Sequence, residues 1–238
     1  MKKTGTIIVI NDRVVTFEPN YIIHMQLSLQ GVVPIPLREK IAAGRSAVWN
    51  STVSFSKGEY LFVQAPSGTG KTTLVHVLYG LRNDYTGSVK WNSHELAKTD
   101  AETIAGLRAR NLSVIFQDMR LFPELTAWEN IEIKRKLTDT VTTQQVEAWM
   151  GRLGISEKRN SLGATLSYGE QQRVAIIRAL VQPFEWLLMD EPFSHLDHAN
   201  TAKAATLVLE VVQQHKAGMI LADLDENTYF PYTKTIML

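Results

Sequence analysis

The pattern of apolar and polar residues divides the chain into short segments of two kinds. Over roughly the first ninety residues, short segments rich in β-branched and apolar residues are separated by turn signals such as Asn-Asp and Pro-Asn, and residues 47–55 alternate between apolar and polar, patterns typical of β-strands. The predicted strands cover residues 6–10, 13–17, 22–29, 47–55, 60–64 and 87–91. The stretch 31–44 contains two prolines and is predicted to be irregular.

Apolar residues at helical spacing dominate the rest of the chain. The predicted helices cover residues 71–81, 101–110, 128–137, 143–153, 168–181 and 201–215. Apolar runs at residues 112–116, 186–189, 219–222 and 233–238 are predicted to be strands of the core. Because strands alternate with helices, we expect an α/β fold with a mostly parallel sheet, and the consecutive helices of residues 120–180 should form a helical lobe.

Composition limits the class of protein but does not indicate a specific function. The chain has 238 residues, 45% of them hydrophobic, which suits one large domain or two coupled lobes. Its 25 Lys and Arg balance 24 Asp and Glu, so charge gives no reason to expect a nucleic-acid partner. Cysteine is absent, and no run approaches the roughly 18 apolar residues of a membrane-spanning helix. We therefore expect a cytoplasmic chain that reaches a membrane only through a partner.

A glycine-rich string, A-P-S-G-T-G-K-T-T, spans residues 65–73 between a predicted strand and a predicted helix. In that context backbone N–H groups can close around a β-phosphate, Lys71 can reach the β- and γ-phosphate oxygens, and Thr72 can ligate Mg²⁺. The other residues expected around the phosphates are Ser67, Gly68, Thr69, Gly70 and Thr73. The alternative is a glycine-rich turn with a surface lysine, which the flanking strand and helix disfavour.

A second string, L-S-Y-G-E-Q-Q-R at residues 166–173, closely resembles the signature motif of the ATP-binding cassette (ABC) ATPases. The resemblance implies that this motif completes an ATP site on a neighbouring subunit, so that two cassettes meet head to tail with ATP between them. Ser167, the backbone N–H of Gly169 and the adjacent Glu170 would then belong to that nucleotide site at a helix N-terminus. The alternative is a plain capping box formed by Ser167 and Glu170.

Three further strings agree with the same family. W-L-L-M-D-E at residues 186–191 resembles its Walker B motif, which implies that Asp190 holds Mg²⁺ through water and that Glu191 polarises the attacking water as general base. Gln117, after a buried strand, resembles the Q-loop glutamine that contacts Mg²⁺ and the water. Asp197, in S-H-L-D, resembles the D-loop residue that bridges subunits. An isolated Asp-Glu pair would instead indicate the acidic N-cap of a helix.

The resemblance covers residues 22–238, and the β-rich residues 1–21 are predicted to form a separate N-terminal extension. It implies a P-loop NTPase fold of the ABC type, with a mostly parallel core sheet flanked by helices, an antiparallel β subdomain and a helical lobe. It also implies a subunit that binds and hydrolyses ATP with Mg²⁺, pairs as a homodimer or heterodimer of cassettes, and moves a transmembrane permease subunit. Lys71, Gln117 and Glu191 would carry out the catalysis.

The segment from Gln117 to Trp128 is apolar for a loop and would contact that permease. A hydrophobic cluster inside the helical lobe is the alternative, and both can hold. The string F-P-E-L-T at residues 122–126 and the E-Q-Q-R ending of the signature are similar to the subgroup serving lipoprotein extraction, macrolide-type efflux and cell-division complexes. A family member acting in DNA repair or translation is disfavoured, because those carry coiled-coil insertions or a second cassette.

The chain departs from the family pattern in four ways. Ala222 occupies the position of the switch histidine, which predicts slow hydrolysis with ATP binding retained or, as the alternative, an ATP-gated regulatory or structural module. Ala65 replaces the glycine that usually starts the phosphate loop and requires a negative φ. Tyr168, where glycine is common, could pack at the dimer interface. No aromatic residue lies in residues 22–48 to stack on adenine. His215, seven residues before Ala222, is predicted to be a surface residue.

Overall fold

The structure is a computed structural model that describes residues 6–10, 13–17 and 25–238. Its strands are β1 (Thr6–Ile10), β2 (Arg13–Phe17), β3 (Gln26–Pro34), β4 (Thr52–Ser56), β5 (Tyr60–Gln64), β6 (Tyr85–Trp91), β7 (His94–Glu95), β8 (Leu112–Ile115), β9 (Trp186–Asp190), β10 (Gly218–Asp223) and β11 (Lys234–Met237). Its α-helices are α1 (Arg38–Ala43), α2 (Lys71–Leu78), α3 (Ala101–Arg110), α4 (Ala127–Thr138), α5 (Thr143–Arg152), α6 (Tyr168–Leu180) and α7 (His198–Gln214). None of the helices in these ranges is both long and apolar enough to cross a membrane.

The two predicted N-terminal strands are present, and they form an antiparallel pair with Thr6 opposite Phe17. The other residues of the predicted extension 1–21, and residues 22–24 at the predicted start of the cassette, lie outside the described residues. The division of the chain at residue 22 stays a prediction.

Two further sheets organise the rest of the chain. Five parallel strands lie in the order β11-β5-β10-β9-β8, and four antiparallel strands lie in the order β4-β3-β6-β7. The parallel sheet flanked by helices and the separate antiparallel sheet confirm the predicted α/β fold class. Because all five strands run the same way, their carboxyl ends meet along one edge, where ligands bind in open α/β sheets.

The parallel sheet is buried on both faces. Along β5, Phe62 faces a core formed with α5, α6 and α7, whereas its neighbours Leu61 and Val63 face a core shared with α2 and the antiparallel sheet. All three side chains are 2% exposed or less. Continuous burial of this kind explains why the core strands read as apolar runs rather than as alternating patterns.

The predicted helices are present, each with bounds within three residues of the expected ones. Those of the predicted lobe, α4, α5 and α6, pack together through buried residues that include Ile131, Val146 and Ile177. A capping box between Thr126 and Glu129 begins α4, since each residue's side chain accepts the other's backbone N–H.

The prediction that residues 31–44 are irregular is wrong. The strand β3 continues to Pro34 because Gly31, with a φ of 56°, lies where the pairing register with β6 shifts, and the shift absorbs the break. Pro36 then lies in the short helical turn before α1, where a missing backbone N–H has no cost. The prolines therefore start a helix rather than prevent one, and this helix lies beside the glycine-rich loop.

The prediction of a strand starting at residue 47 is also wrong, because β4 begins only at Thr52. The Oγ of Ser46 accepts the N–H groups of Val48 at 3.1 Å and of Trp49 at 2.8 Å, and these local bonds compete with strand pairing. Asn50 then takes a left-handed φ of 53°. The resulting turn brings the Trp49 ring to the glycine-rich loop.

Candidate functional site

The glycine-rich loop connects the end of β5 to the start of α2, as predicted. Gly70 precedes α2 with a φ of 108°, a left-handed conformation that favours glycine, and a Cβ there would have to displace Cδ1 of Leu37, 2.5 Å away. The hydroxyl of Thr69 donates to the carbonyl of Pro66 at 2.7 Å and closes the loop on itself. The methyl group of Ala65 requires a negative φ, and Ala65 is indeed not among the residues with positive φ.

Two side chains that the sequence analysis did not single out hold the outer face of this loop. Lys40 of α1 donates from Nζ to the carbonyl of Gly68 at 3.0 Å, and Trp49 donates from Nε1 to the carbonyl of Thr69 at 3.4 Å. A cavity of about 200 Å³ lies between α1 and the loop, with Trp49 in its wall. No motif marks these residues, because Lys40 lies on a helix and Trp49 in a turn that the sequence pattern did not predict.

Lys71, Gln117 and Glu191, the residues predicted to carry out catalysis, come together. The Nζ of Lys71 lies 3.2 Å from Oε1 of Glu191 and donates to the carbonyl of Ala65 at 2.9 Å. Gln117 donates from Nε2 to Oε2 of Glu191 at 3.0 Å. Lys71 is only 7% exposed, so the ion pair is sheltered from solvent. The three residues follow β5, β8 and β9, whose carboxyl ends share one edge of the sheet.

Glu191 has an unusual backbone conformation. Its φ is 43°, in the left-handed region that residues other than glycine, asparagine and aspartate rarely adopt. Its N–H donates to the carbonyl of Ala222 at 2.9 Å, and its own carbonyl accepts Nε2 of the buried Gln172 at 3.4 Å. Such strain costs on the order of 1–3 kcal/mol and persists where surrounding contacts impose it, which is typical of functional positions.

Asp190 is the most deeply buried acidic group of the site. It is 1% exposed, and neither carboxylate oxygen has a hydrogen-bond partner in the part of the chain that the structure describes. Burial raises the pKa of this carboxyl, and the nearby hydroxyl of Thr72 partly opposes the rise. Residues 6–10, 13–17 and 25–238 contain no cluster of three or more acidic, His or Cys ligands. One unpartnered carboxylate beside a hydroxyl nevertheless fits Mg²⁺, which takes one or two carboxylates and completes its shell with phosphates and water.

Asp190→Asn is expected to stabilise the nucleotide-free protein. A carboxyl with a raised folded-state pKa binds protons more readily in the folded than in the unfolded chain, so its charge lowers stability above that pKa. The free energy of unfolding at pH 7 should rise by about 0.5–2 kcal/mol, and the gain should shrink as pH falls towards the unfolded-state pKa. Thermal unfolding at several pH values measures both, with exposed Asp225→Asn as the control. A loss of stability at pH 7 would contradict the expectation.

The signature helix α6 begins with a capping box, the alternative considered for this string. The Oγ of Ser167 accepts the N–H of Glu170 at 3.4 Å, and Oε2 of Glu170 accepts the N–H of Ser167 at 2.8 Å. Lys158 lies 3.2 Å from the other carboxylate oxygen of Glu170. The bond to the Ser167 backbone and, after it, Lys158 lower the pKa of Glu170. Glu170 is therefore engaged in holding the start of the helix.

The start of α6 lies directly against residues 194–197. A Cβ on Gly169 would lie 2.9 Å from the carbonyl of His195, so only glycine permits this approach. The buried Gln172 accepts the N–H of His195 at 2.9 Å through Oε1. The ring of Tyr168, 68% exposed, stacks on the His195 imidazole with centroids 5.3 Å apart. Asp197 caps α7 by accepting the N–H of Asn200.

Gly169→Ala is expected to disturb this contact. The new methyl group meets a backbone carbonyl rather than a flexible side chain, so the 194–197 segment must shift. We expect no gain in thermal stability and about a tenfold loss of any activity that depends on this segment. Gly106→Ala in α3 is the matched control, because a Cβ there meets nothing within 4 Å. That change should stabilise by about 0.5–1 kcal/mol. Equal stabilisation by both substitutions, measured by thermal unfolding, would show that the contact does not matter.

A side chain of α6 holds the loop that follows Gln117 in place. Met119 and Arg120 both have left-handed φ values, 56° and 51°, and Arg178 donates to the carbonyls of both. Met119 is buried and the Trp128 ring packs on the helical core, whereas Phe122 is 51% exposed. Part of the apolar segment is thus a hydrophobic cluster, and part remains at the surface, so the contact with a permease stays a prediction.

Comparison with known proteins decides the family. The family model described as "ABC transporter" matches residues 48–194. The chain is 35% identical over 203 residues to the aliphatic sulfonates import ATP-binding protein SsuB of Bacillus subtilis, covering 83% of this chain and 76% of that protein. The chain belongs to the ABC transporter family. As a member, this cassette is an ATP-binding subunit of a membrane ABC complex.

Relatives of the cassette include both import and export proteins. It is 34% identical over 179 residues to the macrolide export ATP-binding/permease protein MacB of Bradyrhizobium diazoefficiens, covering 74% of this chain and 27% of that longer protein. Its similarity therefore extends beyond the efflux-type subgroup that the sequence strings favoured. The fold of the cassette matches the dimeric structure of the bacterial ABC transporter cassette MJ0796 with a TM-score of 0.71 at 24% identity, over 84% of this chain and 88% of that one.

Ala222, predicted to occupy the position of the switch histidine, lies inside strand β10 (Gly218–Asp223). Ala222 is 0% exposed and pairs with Val63 of β5 and Asp190 of β9, so its methyl group faces the core and donates no hydrogen bond. His215, predicted at the surface, is half-buried instead, because its ring packs on Phe184 with centroids 4.6 Å apart. Burial lowers the pKa of His215. Its place at the far end of β10 excludes it as a substitute for the missing histidine.

Proposed function

We propose that the cassette binds ATP with Mg²⁺ at residues 65–73 and hydrolyses it. The observation that carries this proposal is the convergence of Lys71, Gln117 and Glu191, because the reaction needs a cation for the phosphates, a group that orients water and a base in one place. Lys71 would contact the β- and γ-phosphates. Glu191, no longer paired with Lys71, would accept a proton from the water that Gln117 orients.

Mg²⁺ would neutralise phosphate charge in this site. We assign its protein ligands to the hydroxyl of Thr72, the carboxylate of Asp190 and the side-chain oxygen of Gln117, and the unpartnered buried oxygens of Asp190 support this assignment. The residues proposed to surround the phosphates, with the N-terminus of α2, are Ser67, Gly68, Thr69, Gly70 and Thr73.

We place the other half of each ATP site on a neighbouring cassette, which is a second copy of this chain or a different one. Ser167, the N–H of Gly169 and Asp197 would face the nucleotide across a head-to-tail interface, with the exposed Tyr168 ring beside them. The carboxylate of Glu170 is already bound to Ser167 and Lys158. Glu170 would therefore act on the nucleotide through Ser167 rather than by touching it.

The proposed membrane partner is a transmembrane permease subunit that contacts residues 117–128. The import and export proteins among the relatives support a transport role. The half-exposed Phe122 supports this segment as the contact. We place the cassette on the cytoplasmic face of the cell membrane, held there by the permease.

We propose that hydrolysis is slow. The buried methyl group of Ala222, which we assign to the position of the switch histidine, provides no hydrogen-bond donor, and one lost transition-state donor costs about 2.7–4 kcal/mol, or roughly 10²–10³ in rate. A regulatory module that binds ATP without turnover is the second candidate, and Ala222 is the observation in its favour.

Steady-state phosphate release by the purified cassette tests the proposal. With saturating ATP and Mg²⁺ we expect turnover that disappears when EDTA removes the metal. ATP binding with no release above that of a Glu191→Gln variant would favour the regulatory module. Failure to bind ATP at all would contradict both candidates.

A further inference from the structure

Two consecutive peptide groups of the glycine-rich loop are bonded from the side of α1. Lys40 donates from Nζ to the carbonyl of Gly68 at 3.0 Å, and Trp49 donates from Nε1 to the carbonyl of Thr69 at 3.4 Å. Lys40 lies on α1 and Trp49 in the turn before β4, so both donors come from outside the loop. The bonds therefore fix the direction of two carbonyls that the loop itself leaves free to rotate.

The two carbonyls also fix the N–H groups on the opposite side of the same peptides, because a trans peptide is planar and its C=O and N–H point in opposite directions. The N–H of Thr69, opposite the Gly68 carbonyl, donates to the carbonyl of Pro66 at 3.2 Å and closes a turn inside the loop. In residues 25–238 no backbone carbonyl accepts the N–H of Gly70, opposite the Thr69 carbonyl. This N–H points away from Trp49, and N–H groups oriented in this way bind phosphate oxygens.

External support matters here because the loop restricts its own conformation very little. Gly68 and Gly70 have φ values of 75° and 108°. Glycine loses more conformational freedom than any other residue when it becomes ordered. Contacts that order the loop before a ligand arrives remove that entropic cost from the binding step. The affinity for phosphates should therefore depend on side chains that lie outside the loop.

We propose that Lys40 and Trp49 are positioning residues for nucleotide binding. They hold the carbonyls of Gly68 and Thr69 away from the phosphates, and this keeps the N–H groups of the empty loop in the binding conformation. The inference rests on the proposed function, because it specifies how the loop assigned to ATP is ordered. Neither side chain has to contact the nucleotide in this role.

Binding of inorganic tripolyphosphate with Mg²⁺ to the full chain tests the inference, because this ligand lacks the ribose and base of ATP. Lys40→Met keeps the apolar stem and removes the donor. We expect the dissociation constants of tripolyphosphate and of ATP to rise by the same factor, about fivefold, and Lys40→Arg, which keeps a donor, to restore both. A loss for ATP alone would place Lys40 against the ribose or base and overturn the inference. A wild-type chain that binds neither ligand would contradict the proposed function.

Arg45→Met is the matched control for the loss of charge. Arg45 is exposed and lines the same cavity as Lys40, and none of the hydrogen bonds that side chains make to the loop within residues 25–238 comes from it. Its removal should change either dissociation constant by less than about twofold. Equal losses for Arg45→Met and Lys40→Met would show that charge, rather than the bond to the carbonyl, determines affinity.

Trp49→Phe tests the second donor. Phenylalanine keeps an aromatic ring in the buried position and removes the indole N–H. The loss of affinity should be smaller than for Lys40→Met, because the bond is longer, 3.4 Å, and its donor is uncharged. Unchanged affinity for tripolyphosphate in the combined Lys40→Met and Trp49→Phe variant, with thermal unfolding as the check of folding, would overturn the inference.

Relaxation of ¹⁵N nuclei in the nucleotide-free protein gives a readout that needs no ligand. In Lys40→Met we expect the order parameters of the Thr69 and Gly70 amides to fall from about 0.85 to about 0.6 or less. The amides of α2 and the midpoint of thermal unfolding should stay unchanged, and Lys40→Gln replaces the variant if the midpoint falls. Equal order parameters for the loop in wild type and variant overturn the inference and leave the proposed function standing.

Discussion

Replacing Glu191 by glutamine is expected to lower the turnover number for ATP hydrolysis by about 10²–10⁴-fold. Glutamine has nearly the same shape and retains an oxygen for Lys71, 3.2 Å away, but it cannot accept the proton of the attacking water. Phosphate release at saturating ATP and Mg²⁺ measures the effect. Glu102→Gln is the matched control, because Glu102 is an exposed glutamate in the first turn of α3. Unchanged turnover in the Glu191→Gln variant would assign the base to another group.

The same substitution should leave ATP binding intact or tighten it. The Glu191 carboxylate pairs with the Lys71 ammonium, which the ATP phosphates would also bind. Glutamine removes this competing negative charge. Equilibrium titration with a fluorescent ATP analogue checks this. Weaker binding together with lost turnover would point to a structural role for Glu191 instead of a catalytic one.

Lys71→Met is expected to have the largest effect on affinity. Methionine approximates the apolar stem of lysine but carries no charge, and Lys71 is 7% exposed, so its ammonium acts where solvent screening is weak. Removing one partner of a buried ion pair costs about 3–5 kcal/mol, which corresponds to roughly two to four powers of ten in the dissociation constant for ATP. Isothermal titration with Mg²⁺ and ATP measures the loss.

Lys203→Met, at an exposed position of α7, is the control for this charge removal. Lys71→Met should also lower the free energy of unfolding, because Glu191 then keeps a charge without its partner. Combining Lys71→Met with Glu191→Gln should recover part of that loss in a double-mutant cycle. Wild-type affinity in Lys71→Met would exclude residues 65–73 as the nucleotide site.

The sequence predicted most of the site because the informative residues lie at the ends of strands. Lys71, Gln117 and Glu191 each follow an apolar run, and parallel strands bring such ends to one edge wherever the intervening chain goes. Helix bounds were equally predictable, since local signals such as the Thr126 and Ser167 caps determine them. Local signals and sheet geometry together explain this success.

Features that depend on contacts between distant segments were not predictable. The bond from Lys40 to Gly68 joins residues 28 positions apart, and it requires the six-residue helix α1 that two prolines appeared to exclude. Arg178 reaches carbonyls 58 and 59 positions away. The left-handed φ of Glu191 cannot be predicted from the residue type, because hydrogen bonds with Ala222 and Gln172, outside the motif, impose it. Periodicity and motif spacing carry no information about such pairings.

Helix α6 contacts three parts of the site along its length. Gly169 contacts the backbone at His195 near one end, Gln172 binds the chain on either side of Phe193, and Arg178 holds the loop after Gln117 near the other end. Its 13 residues span about 20 Å, so a tilt of about 3° displaces the far end by about 1 Å. Helix α6 can therefore act as a lever between the loop after Gln117 and the signature motif at its own start. The stiffness of its hydrogen-bonded backbone, more than any series of side-chain contacts, would determine how far a displacement of one end moves the other end.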